Sequence, residues 1–393
     1  MSSRWAALAV IFVTRTSMGF QFQSIAAVAP LLVEDLRLSY AQAGLMMGLY
    51  MLPGVVVSLP SGMLGQRFGS RRVALWGLAL MVAGGLVTGW SGGFAVACAG
   101  RVVSGIGGIL LNLLLAKMVA DWFRDREIAT AMSVMLSAWP FGLALALLTL
   151  GSVAASASWR DSVFATVAAA ALSLALLAWL YRDPPDLPSA AADGARLNLN
   201  LPRRAWGLAC TAGLGWSLLN AGFIDLVSFA PAFLIAGGTS VAWAGVLVSL
   251  TLWVSIVSVP LGGWIADRIG HSNLVIVFGC LGAAAPMALL PLLPGAALWL
   301  ILSGLLMSGA PGVFMALLPR AVDREHLATS LGVFYTVYYL GMAMAQPLAG
   351  VTRDLTGSPA MPLYVAAALM AATVLTLWPF RWLERRPVVV VRV

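Results

Sequence analysis

The hydrophobic residues of this chain form long, nearly unbroken blocks that recur from one end to the other. Each block has about 20 residues, which is the length that a helix needs to cross ~30 Å of hydrocarbon. A transmembrane barrel would instead show short segments of alternating hydrophobicity. The pattern predicts an all-α membrane protein with twelve transmembrane helices, over residues 5–33, 41–64, 73–91, 94–116, 128–150, 162–180, 205–235, 242–265, 274–293, 296–318, 328–350 and 363–380.

Composition supports this prediction. Of the 393 residues, 61% are hydrophobic and 10% are charged, whereas a soluble domain carries roughly 25% charged residues. The longest polar stretch, residues 182–204, contains four prolines and predicts a cytoplasmic linker. It divides the chain into an N-terminal bundle, residues 1–181, and a C-terminal bundle with a short cytoplasmic tail, residues 205–393.

The positive charges are distributed unevenly between the two sides of the predicted helices. Eighteen of the 23 Lys and Arg residues fall on the side of the N-terminus, and only Arg37, Arg160 and Arg353 fall on the other. Cytoplasmic loops of membrane proteins carry such an excess, so we expect both termini in the cytoplasm. The net charge of +8 therefore follows from topology and does not indicate a nucleic-acid partner. Arginine so far outnumbers lysine that a bacterial inner membrane is expected.

The two halves of the sequence resemble each other. Segment 62–69, Gly-Met-Leu-Gly-Gln-Arg-Phe-Gly, aligns at a spacing of 201 residues with segment 263–270, Gly-Trp-Ile-Ala-Asp-Arg-Ile-Gly. Nearer the C-terminus the spacing falls to 193, where the Arg-Asp pair 160–161 aligns with the pair 353–354. Matches in order with small deletions predict two pseudo-symmetric bundles of six helices each.

The loop between the second and third predicted helices carries a recognisable motif. Its residues resemble the major facilitator superfamily signature Gly-x-x-x-Asp-Arg-x-Gly-Arg-Arg, except that Gln66 stands where the family has Asp. Arg101-Val-Val-Ser-Gly105 matches a second motif of that family, in the fourth helix. The resemblance implies a monomeric secondary transporter that works by rocker-switch alternating access, with a gating role for the motif residues Gly62, Arg67, Gly69, Arg71, Gly263, Asp267, Arg268 and Gly270.

Three ionisable residues fall inside the predicted helices: Arg15, Arg101 and Asp225. A charge at such a position costs ~2.5–3.5 kcal/mol on insertion scales, so it usually faces a cavity and has a partner or a function. They belong to the first, fourth and seventh helices, which in the superfamily line the central cavity together with the tenth. This coincidence points to a substrate site between the halves.

Arg15 lies about 15 Å along its helix at 1.5 Å per residue, near the depth at which transporters bind substrate. Its guanidinium suits a carboxylate or phosphate group, and the alternative is an arginine neutralised by an acid or by carbonyls. Arg101 shares a helical face with Asn112. For Arg101 there are two alternatives, a structural or gating role and contact with the substrate.

Asp225 has three candidate roles: carrying a coupling proton, pairing statically with Arg101, or contacting the substrate. Further candidates for substrate contact are Gln21, Asn112, Tyr335 and Tyr339. Helix–helix hydrogen bonding or aromatic packing is the alternative for each of them.

The function that these residues predict is transport of a small solute that is an organic or inorganic anion, with protons or a counter-substrate as possible coupling partners. The alternative is a proton-driven exporter of hydrophobic compounds that uses Asp225. The two histidines lie in predicted loops and no nucleotide-binding loop occurs, so we expect neither an enzyme nor a bound metal or cofactor. Besides the substrate, the expected partner is the lipid bilayer.

Overall fold

The computed structural model describes residues 4–123, 127–184, 201–307 and 309–385, and in that part of the chain the regular structure is entirely helical. The helices are α1 (Arg4–Ala27), α2 (Ala29–Leu36), α3 (Tyr40–Gly48), α4 (Gly54–Phe68), α5 (Ser70–Gly89), α6 (Phe94–Trp122), α7 (Ile128–Ser156), α8 (Trp159–Leu180), α9 (Arg203–Ala236), α10 (Val241–Ile269), α11 (Ser272–Leu289), α12 (Ala296–Leu306), α13 (Ala310–Ala321), α14 (Arg324–Thr356), α15 (Met361–Ala372) and α16 (Leu377–Glu384), with a 3-10 turn at Thr373–Thr376.

Each of the twelve predicted segments coincides with one helix or with consecutive helices. Eight segments of the described chain are long and apolar enough to cross a membrane, and α1 with α2 forms a ninth candidate that is bent by 55°. The chain is therefore a multi-span membrane protein. The number twelve and the cytoplasmic position of the termini stay predictions, and most of the predicted linker lies outside the described residues.

Prolines accompany the two breaks in the first half. Pro30 follows the bend between α1 and α2, and Pro53 immediately precedes α4. A proline has no amide hydrogen and its ring clashes with the preceding helical turn, so it ends or kinks a helix. The sequence pattern predicted each pair of helices as a single helix, because the residues on both sides of the break are apolar.

Helix packing follows the same scheme in both halves: α1 packs on α7 and α8, and α9 packs on α14 and α15. The contact between α1 and α7 is made at Gly19 and Gly142, where an added Cβ atom would collide with backbone atoms of the facing helix. Small residues allow helices to approach this closely in a membrane. This packing fixes the side of α1 that carries Arg15.

The structure distinguishes two ends of the molecule. The basic end carries Arg4, Arg71, Arg204 and Arg381, which bind acidic side chains or backbone carbonyls there. The other end, which we call the opposite end, carries the predicted external loops. The chain enters α1 at the basic end and passes alternately between the two ends.

The two halves meet at the opposite end. The carboxylate of Asp354 at the end of α14 accepts hydrogen bonds from the backbone N–H groups of Tyr40 and Ala41, at 2.9 Å and 2.8 Å, in the first turn of α3. One turn along, Gly44 lies against the backbone of Gln346 in α14. A carboxylate at a helix N-terminus is favoured by the unpaired N–H groups and by the helix dipole, so this contact holds the opposite end closed.

One prediction from the sequence repeat is wrong. Arg160 and Asp161 lie in the first turn of α8, whereas Arg353 and Asp354 lie in the last turns of α14. The two pairs therefore do not occupy equivalent positions. The reason is that α14 has 33 residues and its counterpart α7 has 29, so the second Arg-Asp pair belongs to an extension of the helix.

Candidate functional site

Arg15 is a buried cation without a partner. It lies eleven residues after the start of α1 at Arg4, about 16 Å along the helix axis. Its side chain is 8% exposed, its Nε atom is buried with no hydrogen-bond partner, and no ion pair joins it to another described residue. The ionisable side chains near its guanidinium are the tyrosines 335, 338 and 339 of α14 in the other half.

These three residues, Tyr335, Tyr338 and Tyr339, form a cluster that we call the tyrosine cluster. The ring centroids of Tyr338 and Tyr339 are 4.9 Å apart, and those of Tyr335 and Tyr339 are 6.2 Å apart and stacked. Trp216 of α9 extends the cluster, at 6.3 Å from Tyr338. Tyr339 is buried, while Tyr335, Tyr338 and Trp216 are half-buried. The sequence indicated Tyr335 and Tyr339 through their shared helical face, and Tyr338 lies beside them.

Asn112 connects the first half to the tyrosine cluster. Its Nδ2 atom donates a hydrogen bond of 3.2 Å to the hydroxyl group of Tyr339. The structure thus brings together Arg15, Asn112, Tyr335 and Tyr339, four of the six residues that the sequence suggested for substrate contact. Their assembly from α1, α6 and α14 places the candidate site between the halves.

Arg101 is placed differently, because its guanidinium is bound by the protein itself. Its Nε donates to the carbonyl oxygen of Met46 at 3.0 Å, Nη1 to that of Gln21 at 3.1 Å and Nη2 to that of Phe22 at 3.0 Å. The guanidinium also lies 4.8 Å from the ring centroid of Tyr50. This geometry favours the structural role, a clamp that holds α1 and α3 against α6.

Gln21 also serves helix packing. Its Nε2 donates a hydrogen bond of 2.9 Å to the carbonyl oxygen of Met81 in α5, and the side chain is buried. The structure therefore directs Gln21 towards α5 and not towards the tyrosine cluster.

Asp225 is fully buried, and neither of its carboxylate oxygens has a hydrogen-bond partner. One turn earlier in α9, Gly222 packs against α15, and one turn later Ser228 accepts a hydrogen bond of 3.1 Å from Gln346 of α14. Asp225 thus lies on the side of α9 that faces its own half. The structure shows no hydrogen bond between Asp225 and Arg101, so it does not form the static pair that the sequence allowed.

The motif residues lie at the basic end, in the two connections that the repeat relates. Arg71 donates to the carbonyl oxygen of Ala178 at 2.6 Å, and Arg268 lies 3.8 Å from the ring centroid of Trp264. The left-handed φ angles of +86° and +69° at Gly69 and Gly270 require glycine. Arg67 is exposed beside Phe68, and Gly263 has open space around it. The side chains at positions 62, 66 and 267 lie outside those that the structure describes, and the gating role stays a prediction.

Sequence reasoning did not indicate Tyr50 and Trp139, two aromatic residues on the side of the first half. Phe22 lies between Tyr50 and Trp139, with ring centroids 5.5 Å and 5.3 Å away. Tyr50 is buried and its hydroxyl group has no hydrogen-bond partner. Aromatic residues within an apolar block carry no periodic signal, so only the structure could reveal that they lie close together.

Comparison with known proteins identifies the family. The family description Major Facilitator Superfamily matches residues 11–346 and 207–392. The chain belongs to the Major Facilitator Superfamily. Among solved structures, it resembles the inward-open xylose transporter XylE from E. coli with a TM-score of 0.79, 14% sequence identity and 96% of each chain covered. At that identity the likeness shows the fold, which is that of the superfamily.

Relatives within the Major Facilitator Superfamily are named as transporters. A probable sulfoacetate transporter, SauU of Cupriavidus necator, is 24% identical and covers 88% of this chain and 86% of its own. The 3-(3-hydroxy-phenyl)propionate transporter of Escherichia coli is 27% identical, at 87% and 85%. The hexuronate transporter of Bacillus subtilis is 22% identical, at 85% and 84%. These matches confirm a membrane transporter, and not an enzyme, as the sequence predicted.

Proposed function

We propose that this chain carries a small organic anion across a bacterial inner membrane, and that Arg15 binds the anionic group of the substrate. The observation that carries the proposal is the buried, unpartnered guanidinium of Arg15. A guanidinium does not lose its charge at physiological pH. Burying such a charge without a partner is costly, and an anionic substrate would supply the missing partner during transport.

The names of the relatives support an anionic substrate. Sulfoacetate, hexuronate and 3-(3-hydroxy-phenyl)propionate, after which three of them are named, are all organic anions at neutral pH. Their identities of 22–27% leave the choice of substrate open. For the substrate of this chain we therefore propose only the property that the three named compounds share, which is a negative charge.

The contacts between the halves support alternating access at this site. The tyrosine cluster and Arg15 come from different halves, and Asn112 of the first half bonds Tyr339 of the second. A rocking motion of the halves would therefore break and remake the site. We propose that the basic end is cytoplasmic, that twelve helices span the membrane and that the protein works as a monomer, so the closed opposite end corresponds to an inward-facing state.

Asp225 remains our proposed group for proton coupling. Its carboxyl group has no partner within the described protein, and its neighbours on α9 pack against α15 and α14 of its own half. In proteoliposomes, Asp225→Asn should remove the dependence of uptake on an inward proton gradient while substrate exchange continues. Gradient-driven uptake at the level of the unmodified protein would exclude this role.

Uptake by purified protein in proteoliposomes tests the main proposal. Labelled sulfoacetate, glucuronate and 3-phenylpropionate are suitable anions, and Arg15→Ala and Arg15→Lys are the informative variants. A hydrogen bond to a charged group contributes about 1.5–3 kcal/mol, so Arg15→Ala should lower uptake by about 10- to 100-fold. Lysine keeps the charge and should retain part of the uptake.

Arg203→Ala provides the matched control, because Arg203 is an exposed arginine at the basic end and its removal changes the net charge equally. It should transport like the unmodified protein. If Arg15→Ala transports every accepted anion at the unmodified rate, the anionic group binds elsewhere and the proposal fails.

A further inference from the structure

Beyond a negative charge, the surroundings of Arg15 indicate what kind of anion fits. We infer that the substrate is a monoanion that carries an aromatic ring. This inference rests on the proposed anion transport through Arg15 and specifies the substrate class of that site. It is argued from the charges and from the ring surfaces that surround the guanidinium.

The charge of the site favours a single negative charge on the substrate. Arg101 is bound by three backbone carbonyl groups, and Lys117 is paired at 2.8 Å with Asp121 at the end of α6. Within the described helices this leaves Arg15 as the positive charge without a partner beside the tyrosine cluster. A dianion would bring a second negative charge for which the site offers no cation.

The second half presents an aromatic surface to Arg15. Tyr335 and Tyr338 of α14 and Trp216 of α9 are half-buried, so part of each ring is left uncovered by protein. Their mutual centroid distances of 6.3 Å fall within the range of 4.5–7 Å over which aromatic rings attract each other. A further ring on the substrate can join this group by stacked or edge-to-face contact.

The first half also carries aromatic residues, where α1 packs on α7. Trp139 of α7 is half-buried and lies 5.3 Å from Phe22. Its backbone oxygen is also the atom that a side chain at Gly19, one helical turn beyond Arg15, would meet at 2.6 Å. Trp139 is therefore held close to the face of α1 that carries Arg15. The first half thus also carries aromatic side chains, at the packed contact between α1 and α7.

The side-chain amide N–H groups near the site already donate hydrogen bonds within the protein, so they are not free to bind a polyhydroxylated anion. The amide of Asn112 donates to Tyr339, that of Asn220 to the carbonyl oxygen of Trp216 at 2.8 Å, and that of Gln21 to α5. A buried hydroxyl group without a hydrogen bond is costly. A sugar acid would bring several such groups, whereas an aromatic acid brings an apolar ring.

Binding measured by isothermal titration calorimetry on the purified full chain tests this inference without interference from passive diffusion. The probes are 3-phenylpropionate, propionate, glucuronate and the dianion isophthalate. We expect 3-phenylpropionate to bind at least ten times more tightly than the other three. Tyr338→Leu and Trp216→Leu should each weaken the binding of 3-phenylpropionate by about fivefold or more and leave the affinity for propionate unchanged.

Trp378→Leu is the control, because Trp378 is 77% exposed on α16 and its removal should not alter binding. Equal affinity for propionate and 3-phenylpropionate, both lost in Arg15→Ala, would overturn the aromatic inference and leave anion transport standing. Tighter binding of glucuronate or isophthalate would overturn it as well. If Arg15→Ala changes the affinity for none of the four anions, the proposed function fails together with the inference.

Discussion

Two arginines are buried within the helices of this transporter, and their surroundings are opposite. Arg101 donates hydrogen bonds to three backbone carbonyl groups and lies over the ring of Tyr50. Arg15 has no hydrogen bond or ion pair with any described residue. Both have the same charge and similar burial, at 2% and 8% exposure. What differs is whether the protein itself supplies the partners.

The difference separates a structural charge from a functional one. A buried charge that is fully bonded within the protein stabilises one arrangement of the helices around it. A buried charge that the protein leaves unbonded is costly to the fold, and such groups persist where a ligand uses them. Replacements at the two positions should therefore act in opposite directions on stability, and changes at Gly105 and Tyr50 beside Arg101 test the same comparison.

The largest effect is expected for Arg101→Met. Loss of the guanidinium leaves the carbonyl groups of residues 46, 21 and 22 without their partner. Loss of a hydrogen bond to a charged group costs about 1.5–3 kcal/mol, and three such bonds are lost together. We expect little folded protein in detergent, measured by monodisperse size-exclusion yield and by thermal unfolding. A yield equal to that of the unmodified protein would show that Arg101 is not a clamp.

Gly105→Ala should weaken the same clamp from the other side. A Cβ atom at Gly105 would collide with backbone atoms of Tyr50, so α6 would be pushed away from the chain that follows α3. Overpacking of this kind costs about 2–3 kcal/mol. Gly312→Ala is the matched control, since Gly312 lies in α13 with no atom within 4 Å of an added Cβ. We expect Gly105→Ala to lower the midpoint of thermal unfolding and Gly312→Ala to leave it unchanged. Equal midpoints in the two variants would contradict the clamp.

The sequence was sufficient for the helical segments, the family and the residues that assemble at the candidate site. The apolar blocks located every helix, and the depth of Arg15 in α1 suggested the substrate-binding role that we propose for it. The sequence could not separate Arg15 from Arg101, because the partners of Arg101 are backbone carbonyls 55, 80 and 79 residues away. Because every residue has a backbone carbonyl group, the sequence contains no pattern that shows which of them will bind an arginine. Chain spacing alone likewise misaligned the Arg-Asp pairs, since it does not register that α14 is longer than α7.

Arg15→Met should stabilise the protein and abolish anion transport. Methionine fills a similar volume without a charge, and replacement of buried charged groups by apolar ones stabilises proteins by about 1–4 kcal/mol. For one unpaired arginine we expect about 1–2 kcal/mol, seen as a higher midpoint of thermal unfolding in detergent without substrate. A lower midpoint would mean that Arg15 has a stabilising partner, and the contrast with Arg101 would be lost.

The smallest effect is expected at Tyr50, where the contribution of the ring can be separated from that of the hydroxyl group. Its ring lies under the guanidinium of Arg101, while its hydroxyl group is buried without a partner against Gly108. Tyr50→Phe keeps the ring and removes only the unpartnered hydroxyl, so the midpoint should stay the same or rise by the equivalent of up to ~1 kcal/mol. Tyr50→Leu removes the ring and the cation–π contact, which contributes about 0.5–2 kcal/mol, and should lower the midpoint. If both variants lower the midpoint equally, the hydroxyl group takes part in the clamp. The contrast between a bonded and an unbonded buried group would then no longer hold for Tyr50.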